Sequence, residues 1–407
     1  MTETWFLATL WLGLALLATM LSIWLRIATA LSEIVVGTVA QLIIGAVISS
    51  SVLGVHEPWI KFLAGTGAII LTFLAGAELD PDVFKLKWKE ATALGFAGFV
   101  APFLGCAALA YYVLGWDVRA SWLAGVALST TSVAVVYAVM LETGLNKTTY
   151  GKVVLAGCFI NDLGTVLALG LIFAPFTMRT LIFVAASVVV FALLPYLTPW
   201  FFKKYGNRPS ELETKFLLLC LFGMGALAGW AESEAVLPAY LIGMVLAGTV
   251  GKDHILIRRL RTVTFGLLTP FYFIRAGSFV SVPALITGYG IFLTLLSGKM
   301  ATKFLAVYPV TKIYKSPGKE GMYTTLLMST GLTFGSISSL FGLSHGIINT
   351  AQYSFLIAAV VGSAVVPTLI ANAFFLPRHL LRSPEEKAVP ARKALNPTVP
   401  VKEGETI

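Results

Sequence analysis

Apolar runs of roughly 20 residues, broken by short charged loops, recur along this chain to beyond residue 370, and each is the length an α-helix needs to cross a bilayer. A chain patterned this way cannot fold as a water-soluble globule. Only 12 % of its 407 residues are charged and 57 % are hydrophobic, whereas a soluble domain carries about 25 % charge. The expected fold class is therefore an all-α polytopic membrane protein, with the lipid bilayer as its first partner.

Thirteen spans are predicted, at 3–23, 34–53, 59–77, 91–114, 119–141, 150–174, 180–202, 215–231, 235–250, 260–280, 286–309, 321–343 and 350–376. The first lacks a preceding basic stretch and a small-residue cleavage site, so it reads as a retained helix. The eighth and ninth are short, and one of them is a candidate re-entrant segment. Residues 1–376 form the expected transmembrane domain. The Pro-rich, charged residues 377–407 read as a disordered cytoplasmic tail.

Orientation follows from the Lys and Arg residues. Of the 29, 23 lie in the loops after odd-numbered spans or in the tail, and only Lys61, Arg119 and Arg179 lie in loops on the other side. The positive-inside rule then puts the C-terminus in the cytoplasm and the N-terminus outside the cell membrane. The same distribution removes nucleic acid as a partner, because the net charge of +9 is dispersed between apolar runs and forms no basic face. Nothing in the chain predicts a soluble protein partner. Cys106, Cys158 and Cys220 lie inside apolar segments without metal-like or disulfide-like spacing and read as packing residues.

The remaining basic residues, Arg275, Lys299 and Lys303, fall within spans. Glu78 and Glu142 lie at span ends, leaving Asp162 as the deep acid. At 1.5 Å per residue, Asp162 is about 18 Å along its helix, near the middle of a hydrocarbon layer about 30 Å thick. Lys299 is at similar depth. Lys303 is one turn beyond it on the same face, and either amine could be the one that approaches Asp162. Arg275 has two readings, snorkelling toward an interface or pairing with an acid across the core. Charged groups this deep must face protein, water or a transported ion.

Two spans carry helix-weakening runs at matching depth: Ser129-Thr130-Thr131-Ser132 in the fifth, and Ser329-Thr330-Gly331-Leu332-Thr333-Phe334-Gly335-Ser336 in the twelfth. Small hydroxyl and Gly residues serve close helix packing, or they mark discontinuous helices whose freed backbone faces a cavity or an ion. Their positions fit a duplication, with 3–174 as a first repeat, 180–202 as a linker helix and 215–376 as an inverted second repeat. Inverted repeats with paired broken helices are the architecture of alternating-access transporters.

Gly157 with Phe159-Ile160-Asn161-Asp162, Ala127-Leu128-Ser129-Thr130-Thr131-Ser132 and Gly298-Lys299 together resemble the monovalent cation:proton antiporter family, and Asn161-Asp162 resembles its electroneutral branch. The resemblance implies a thirteen-helix homodimer with two crossed unwound helices. It implies that Asp162 carries cation and proton in turn, that Thr130 and Thr131 are unwound crossing residues and that Lys299 is the basic residue of the core. Several relatives carry an acid in the twelfth-helix crossing, where this chain has Thr333, and that leaves the preferred cation open.

A carboxylate that holds either a proton or a metal ion enforces exchange if the protein reorients only when the charge is neutralised. Asp162, the Asn161 amide and the hydroxyls of Ser129, Thr130 and Thr131 form an oxygen-rich candidate site suited to Na+, K+ or Li+. Thr333, Lys303 and Arg275 are candidate accessory residues. No cofactor is expected beyond the transported Na+ (or K+ or Li+) and H+. A sodium-coupled organic-solute symporter and an ion channel are the rival classes. A membrane enzyme is the weakest reading, because His56, His254, His345 and the acids form no cluster in the deep spans.

Overall fold

The computed structural model describes residues 2–380 except 26, 48–52, 78–80, 174–176, 207, 209, 232, 234 and 317. The expected tail from 381 onward lies outside the described residues, as do Arg26 and Glu78. The first half of the described chain runs α1 (Thr2–Leu25), α2 (Thr29–Val47), α3 (Pro58–Ala77), α4 (Pro81–Tyr112), α5 (Val118–Ser129), α6 (Val133–Thr143), α7 (Thr149–Phe173) and α8 (Met178–Tyr205). It continues as α9 (Leu212–Trp230), α10 (Val236–Leu246), α11 (His254–Val263), α12 (Thr269–Ser278), α13 (Val282–Thr287), α14 (Tyr289–Ile313), α15 (Gly318–Met328), α16 (Thr333–Ser344) and α17 (Thr350–Ile370).

Every expected span coincides with one helix or an interrupted pair. α5 and α6 are the halves of the fifth, and α15 and α16 those of the twelfth. A π-helical turn, Thr264–Leu268, joins α11 to α12 as the tenth, and a second, Ala371–Phe375, extends α17. Among the described residues ten helical runs are long and apolar enough to cross a membrane, while Thr29–Ile43 and Val236–Leu246 are shorter apolar helices. The ninth span is thus the short one, and the eighth is a continuous helix of 19 residues.

Three boundaries correct the sequence reading. α2 begins at Thr29, ahead of the expected residue 34, and so encloses Glu33, which is 2 % exposed. Asp162 is therefore not the lone buried acid. α4 begins at Pro81 and bends at Lys87, where φ and ψ are −125° and 26°. Residues 378–380 form a short 3-10 turn in which His379 Nε2 meets Glu320 Oε1 of α15 at 2.6 Å, so the chain just past 376 is ordered.

Helix ends follow local chemistry. Asp117 caps α5 by accepting from the amides of Arg119 and Ala120, and Asn349 with Gln352 forms a capping box on α17. Gly144, at φ 77°, makes the left-handed turn between α6 and α7 that a side chain would resist.

Packing divides the helices into two groups. α4, α5, α7, α14 and α17 pack among themselves and enclose α15 and α16, while α2 and α3 pack on α12 and α10. The second group is held by glycine-to-backbone contact. A methyl on Gly76 would strike the Tyr240 carbonyl, and one on Gly243 the Phe73 carbonyl, so α3 and α10 touch without intervening side chains. α2 and α12 meet the same way, with Gly37 on the Ile274 carbonyl and Gly277 on the Ile34 carbonyl. Thr38 Oγ1 donates to Gly277 O at 3.0 Å across that seam. α8 lies outside, with Val188, Val189, Leu193 and Tyr196 exposed.

Substituting Gly243 or Gly277 by Ala is expected to destabilise the protein by about 1–3 kcal/mol, because the new methyl meets backbone that cannot rotate away. Gly223→Ala, in open space on α9, is expected to be neutral or stabilising. Thermal melting in one detergent, with the three variants side by side, checks the contrast.

Candidate functional site

The fifth span stops being helical at Thr130, whose φ and ψ of −61° and 148° are extended, and resumes at Val133. The twelfth stops after Met328 and resumes at Thr333. Each break frees backbone groups that hydrocarbon cannot satisfy, and the two breaks satisfy each other. The Ser132 amide donates to Thr330 O at 3.1 Å, and Thr131 Oγ1 donates to Met328 O at 2.8 Å. Ser329 and Thr330 turn their hydroxyls back onto Thr325 O and Leu327 O. The weak runs are therefore true discontinuities, crossed against one another, in place of simple close packing.

Lys299 and Lys303 project from one buried face of α14 shared with Leu295 and Val307, and neither is exposed to solvent. Their roles differ. Lys303 Nζ donates to Thr131 Oγ1 at 2.9 Å. Lys299 Nζ lies where a methyl on Gly331 would fall, beside Thr130, and has no hydrogen-bond partner. Both ammonium groups are thus at the C-terminal ends of half-helices, where partial negative charge offsets part of the cost of burial.

Asn161 and Asp162 come from α7, which is pressed onto α4 through glycines. A methyl on Gly95 would hit Gly157 O and Ile160, and one on Gly164 would hit Phe99. Asp162 is 1 % exposed and its Oδ1 has no hydrogen-bond partner; both polar atoms of the Asn161 amide are likewise unpaired. An unsatisfied buried polar group costs about 1–3 kcal/mol, more when charged. Several such groups converging beside two half-helix termini form an electrostatically incomplete site.

Two cavities reach the broken spans, one at Val133 and one at Ile337. One of about 400 Å³ is lined by Tyr137, Lys152, Ala156, Phe159, Arg258 and Arg261, among others, and so reaches the turn of α7 that precedes Asp162. The other, about 200 Å³, is lined by Val236, Tyr272, Arg275, Ile337 and His345 among others.

The structure brings together Thr130, Thr131, Lys299 and Lys303, and the Asn161 amide, next in sequence to Asp162, shares the surroundings of Gly98 with Met328 and Val307. The Ser129 and Thr130 hydroxyls donate to Val126 O and Ala127 O of their own helix, which leaves their oxygens able to accept, whereas Thr131 is engaged on both sides. Thr333 is the first residue of α16, just past the break. Among the described residues Arg275 is held by a backbone carbonyl and an aromatic ring. Its Nε donates to Val55 O at 2.9 Å and its guanidinium lies over the Phe279 ring. Sequence reasoning missed Tyr240, which is fully buried on α10 and donates from its hydroxyl to Phe159 O at 2.8 Å. A tyrosine amid the small and aliphatic residues of the shortest span was the available signal. Among the described residues no three His, Cys, Asp or Glu side chains gather as a metal cluster.

Crossed broken helices, a buried carboxylate on the neighbouring α7 and cavities that reach both broken spans define a secondary transporter that works by alternating access. Residues 12–376 match the family described as "Sodium/hydrogen exchanger, transmembrane", and the chain belongs to that family. It is 23 % identical to the "Probable Na(+)/H(+) antiporter 3" of Methanocaldococcus jannaschii, over 83 % of this chain and 89 % of that protein. It is 24 % identical to "Cation/H(+) antiporter 17" of Arabidopsis thaliana over 86 % of this chain, but spans only 46 % of that longer protein. Its fold is similar to that of the sodium proton antiporter MjNhaP1 from Methanocaldococcus jannaschii, with a TM-score of 0.68, 16 % identity and coverage of 94 % and 98 % of the two chains. The protein is a secondary active cation/proton antiporter.

Lys303→Met is expected to lower stability by about 1–2 kcal/mol, through loss of the bond to Thr131 in a low-dielectric core. Lys299→Met removes an amine that makes no hydrogen bond, and is expected to leave the melting temperature unchanged or raise it. Equal losses in the two variants would contradict the division of roles.

Proposed function

We propose that Asp162 is the carboxylate at which Na+ and H+ alternate, one for one. The observation that carries this reading is the unpaired Asp162 Oδ1, buried on α7 one turn past Phe159, which lines the larger cavity. A cation there would draw on Asp162, the Asn161 amide oxygen and the accepting hydroxyls of Ser129 and Thr130. A proton on Asp162 removes the charge that holds the cation, so the two cargoes exclude each other. Sodium is favoured by the hard oxygen donors and by the names of the relatives, with K+ and Li+ as the competing cations.

Asn161 carries no charge, so neutralising the site takes one proton or one monovalent cation and the cycle moves no net charge. Lys299 would change this only by releasing a proton of its own when the cation binds. The membrane potential acts with about 2.3 kcal/mol per elementary charge per 100 mV, so a two-for-one cycle would respond strongly to voltage.

The wider arrangement extends the reading. The pairing of the second helical run with the tenth and the third with the ninth, together with breaks in the fifth and twelfth, supports two inverted repeats at 3–174 and 215–376 joined by the helix at 180–202. The distribution of Lys and Arg supports an outside N-terminus and a cytoplasmic C-terminus in the cell membrane, so the larger cavity, lined by Lys152, Arg258 and Arg261, faces the cytoplasm. A homodimer is expected from the family resemblance, with crosslinking in native membranes as its check.

Proteoliposomes pulsed separately with Li+, Na+, K+ and Rb+ are expected to show proton exchange greatest with Na+ and abolished in Asp162→Asn. Glu33→Gln, which alters a buried acid at the far seam, is expected to exchange normally. A full rate in Asp162→Asn would sink the assignment. On a solid-supported membrane Na+ is expected to evoke no sustained current; a steady current that disappears in an active Lys299→Gln variant would replace the one-for-one cycle by a two-for-one cycle.

A further inference from the structure

Tyr240 takes no part in binding the cargo, yet it joins the two helix groups one turn from Asp162, as Tyr353 of α17 joins them elsewhere through Ala276 O of α12. Its backbone is fixed, because its carbonyl lies directly on Gly76 of α3 and the neighbouring Gly243 lies on Phe73. Its side chain leaves that fixed pair and enters the other group. The hydroxyl donates to Phe159 O, one helical turn ahead of Asp162, at 2.8 Å, and the ring meets the Phe334 ring edge to face at 5.7 Å, just past the break in the twelfth span. Phe159 already lines the larger cavity. Val236, one turn before Tyr240, and Ile337, one turn after Phe334, line the smaller one. Tyr240 thus links Phe159, in the wall of one cavity, to the turns whose Val236 and Ile337 line the other, and Tyr240, Phe159 and Phe334 are all nearly or fully buried.

Alternating access requires the helices that carry Asp162 to shift relative to the glycine-locked pair, and no such shift leaves a 2.8 Å bond between them intact. We infer that Tyr240 is both latch and seal: its hydroxyl bond to Phe159 O favours the conformation seen here over its alternate, and its ring closes the path between the two cavities. This inference rests on the exchange cycle proposed above, and it makes Tyr240 a positioning residue for the cycle, not a ligand of either cargo. The two roles separate chemically. Tyr240→Phe keeps the ring and removes the bond. Tyr240→Ala removes both.

A net hydrogen bond in a protein corresponds to roughly a 2- to 12-fold population ratio, so the alternate state should become that much more populated in Tyr240→Phe. The probe is a single cysteine at Ile337, buried in the wall of the smaller cavity, in protein whose Cys106, Cys158 and Cys220 are replaced by alanine. A membrane-impermeant maleimide applied from that side is expected to label it roughly 2- to 12-fold faster in Tyr240→Phe than in the parent. Proton exchange should stay coupled to Na+. Tyr240→Ala is expected to let protons cross vesicles without Na+, and Tyr240→Leu, which refills part of the space, is measured with it in case the alanine variant does not fold. Unchanged labelling together with an unchanged exchange rate in Tyr240→Phe overturns the latch, and tight, coupled vesicles with both the alanine and leucine variants, or with leucine alone should alanine not fold, overturn the seal. Parent protein assayed alongside separates the causes. A parent that exchanges no cation refutes the exchange reading itself, whereas a normally exchanging parent confines the failure to Tyr240.

Discussion

A peptide group inside hydrocarbon has no water to fall back on, and this constraint governs the fold. Unbroken helices meet it alone; the two broken ones meet it only together. The Ser132 amide finds Thr330 O, and Thr131 Oγ1 finds Met328 O. Neither break could exist in the bilayer without the other. Their reciprocity fixes how α5, α6, α15 and α16 lie, and hence where half-helix ends point. Lys303 and Lys299 then occupy positions that would be prohibitive elsewhere in the core, because the negative dipole ends of α5 and α15 offset part of the cost of burying an amine there. The same low dielectric that forces the crossing makes the unpaired Asp162 responsive to a small cation or a proton.

Cargo transfer follows from the contrast between the two helix groups. The one that carries Asp162, Asn161 and both lysines contains the breaks, and the other is drawn together by backbone contact at glycines. Cavities lie where the groups face each other, one beside Phe159 and one beside Ile337. In the proposed cycle a relative shift of a few ångströms would enlarge one cavity at the expense of the other and expose the carboxylate to each side in turn. Arg275 belongs to the frame of this motion more than to the chemistry, since it ties α12 to the chain at Val55 and covers Phe279.

Much of this was legible before any coordinates. Apolar runs bounded by Lys and Arg marked the helices, because both signals report directly on the bilayer. The hydroxyl-rich stretches marked the breaks, because these residue types compete with helical hydrogen bonds. Asp162 and the α14 lysines stood out because burying them is costly without a reason. What escaped depends on tertiary placement. The start of α2 was set by hydropathy, and the polar residues Thr29, Ser32 and Glu33 pushed it too late, so a second buried acid was overlooked. The bond that Thr131 accepts from Lys303 could not be read from the sequence, where the two residues lie 172 positions apart. Tyr240 looks like any aromatic in an apolar helix; only the Phe159 carbonyl opposite gives it meaning.

The glycine seams have a practical corollary. Where backbone lies on backbone there is no side-chain layer to slide or repack, so α3 with α10, and α2 with α12, behave as rigid beams. Such beams provide a reference frame. Spectroscopic labels on their outward faces should hold constant separations through a turnover cycle, and any change in distance from those labels to a label on α7 or α16 can then be read as displacement of the cargo-carrying helices alone.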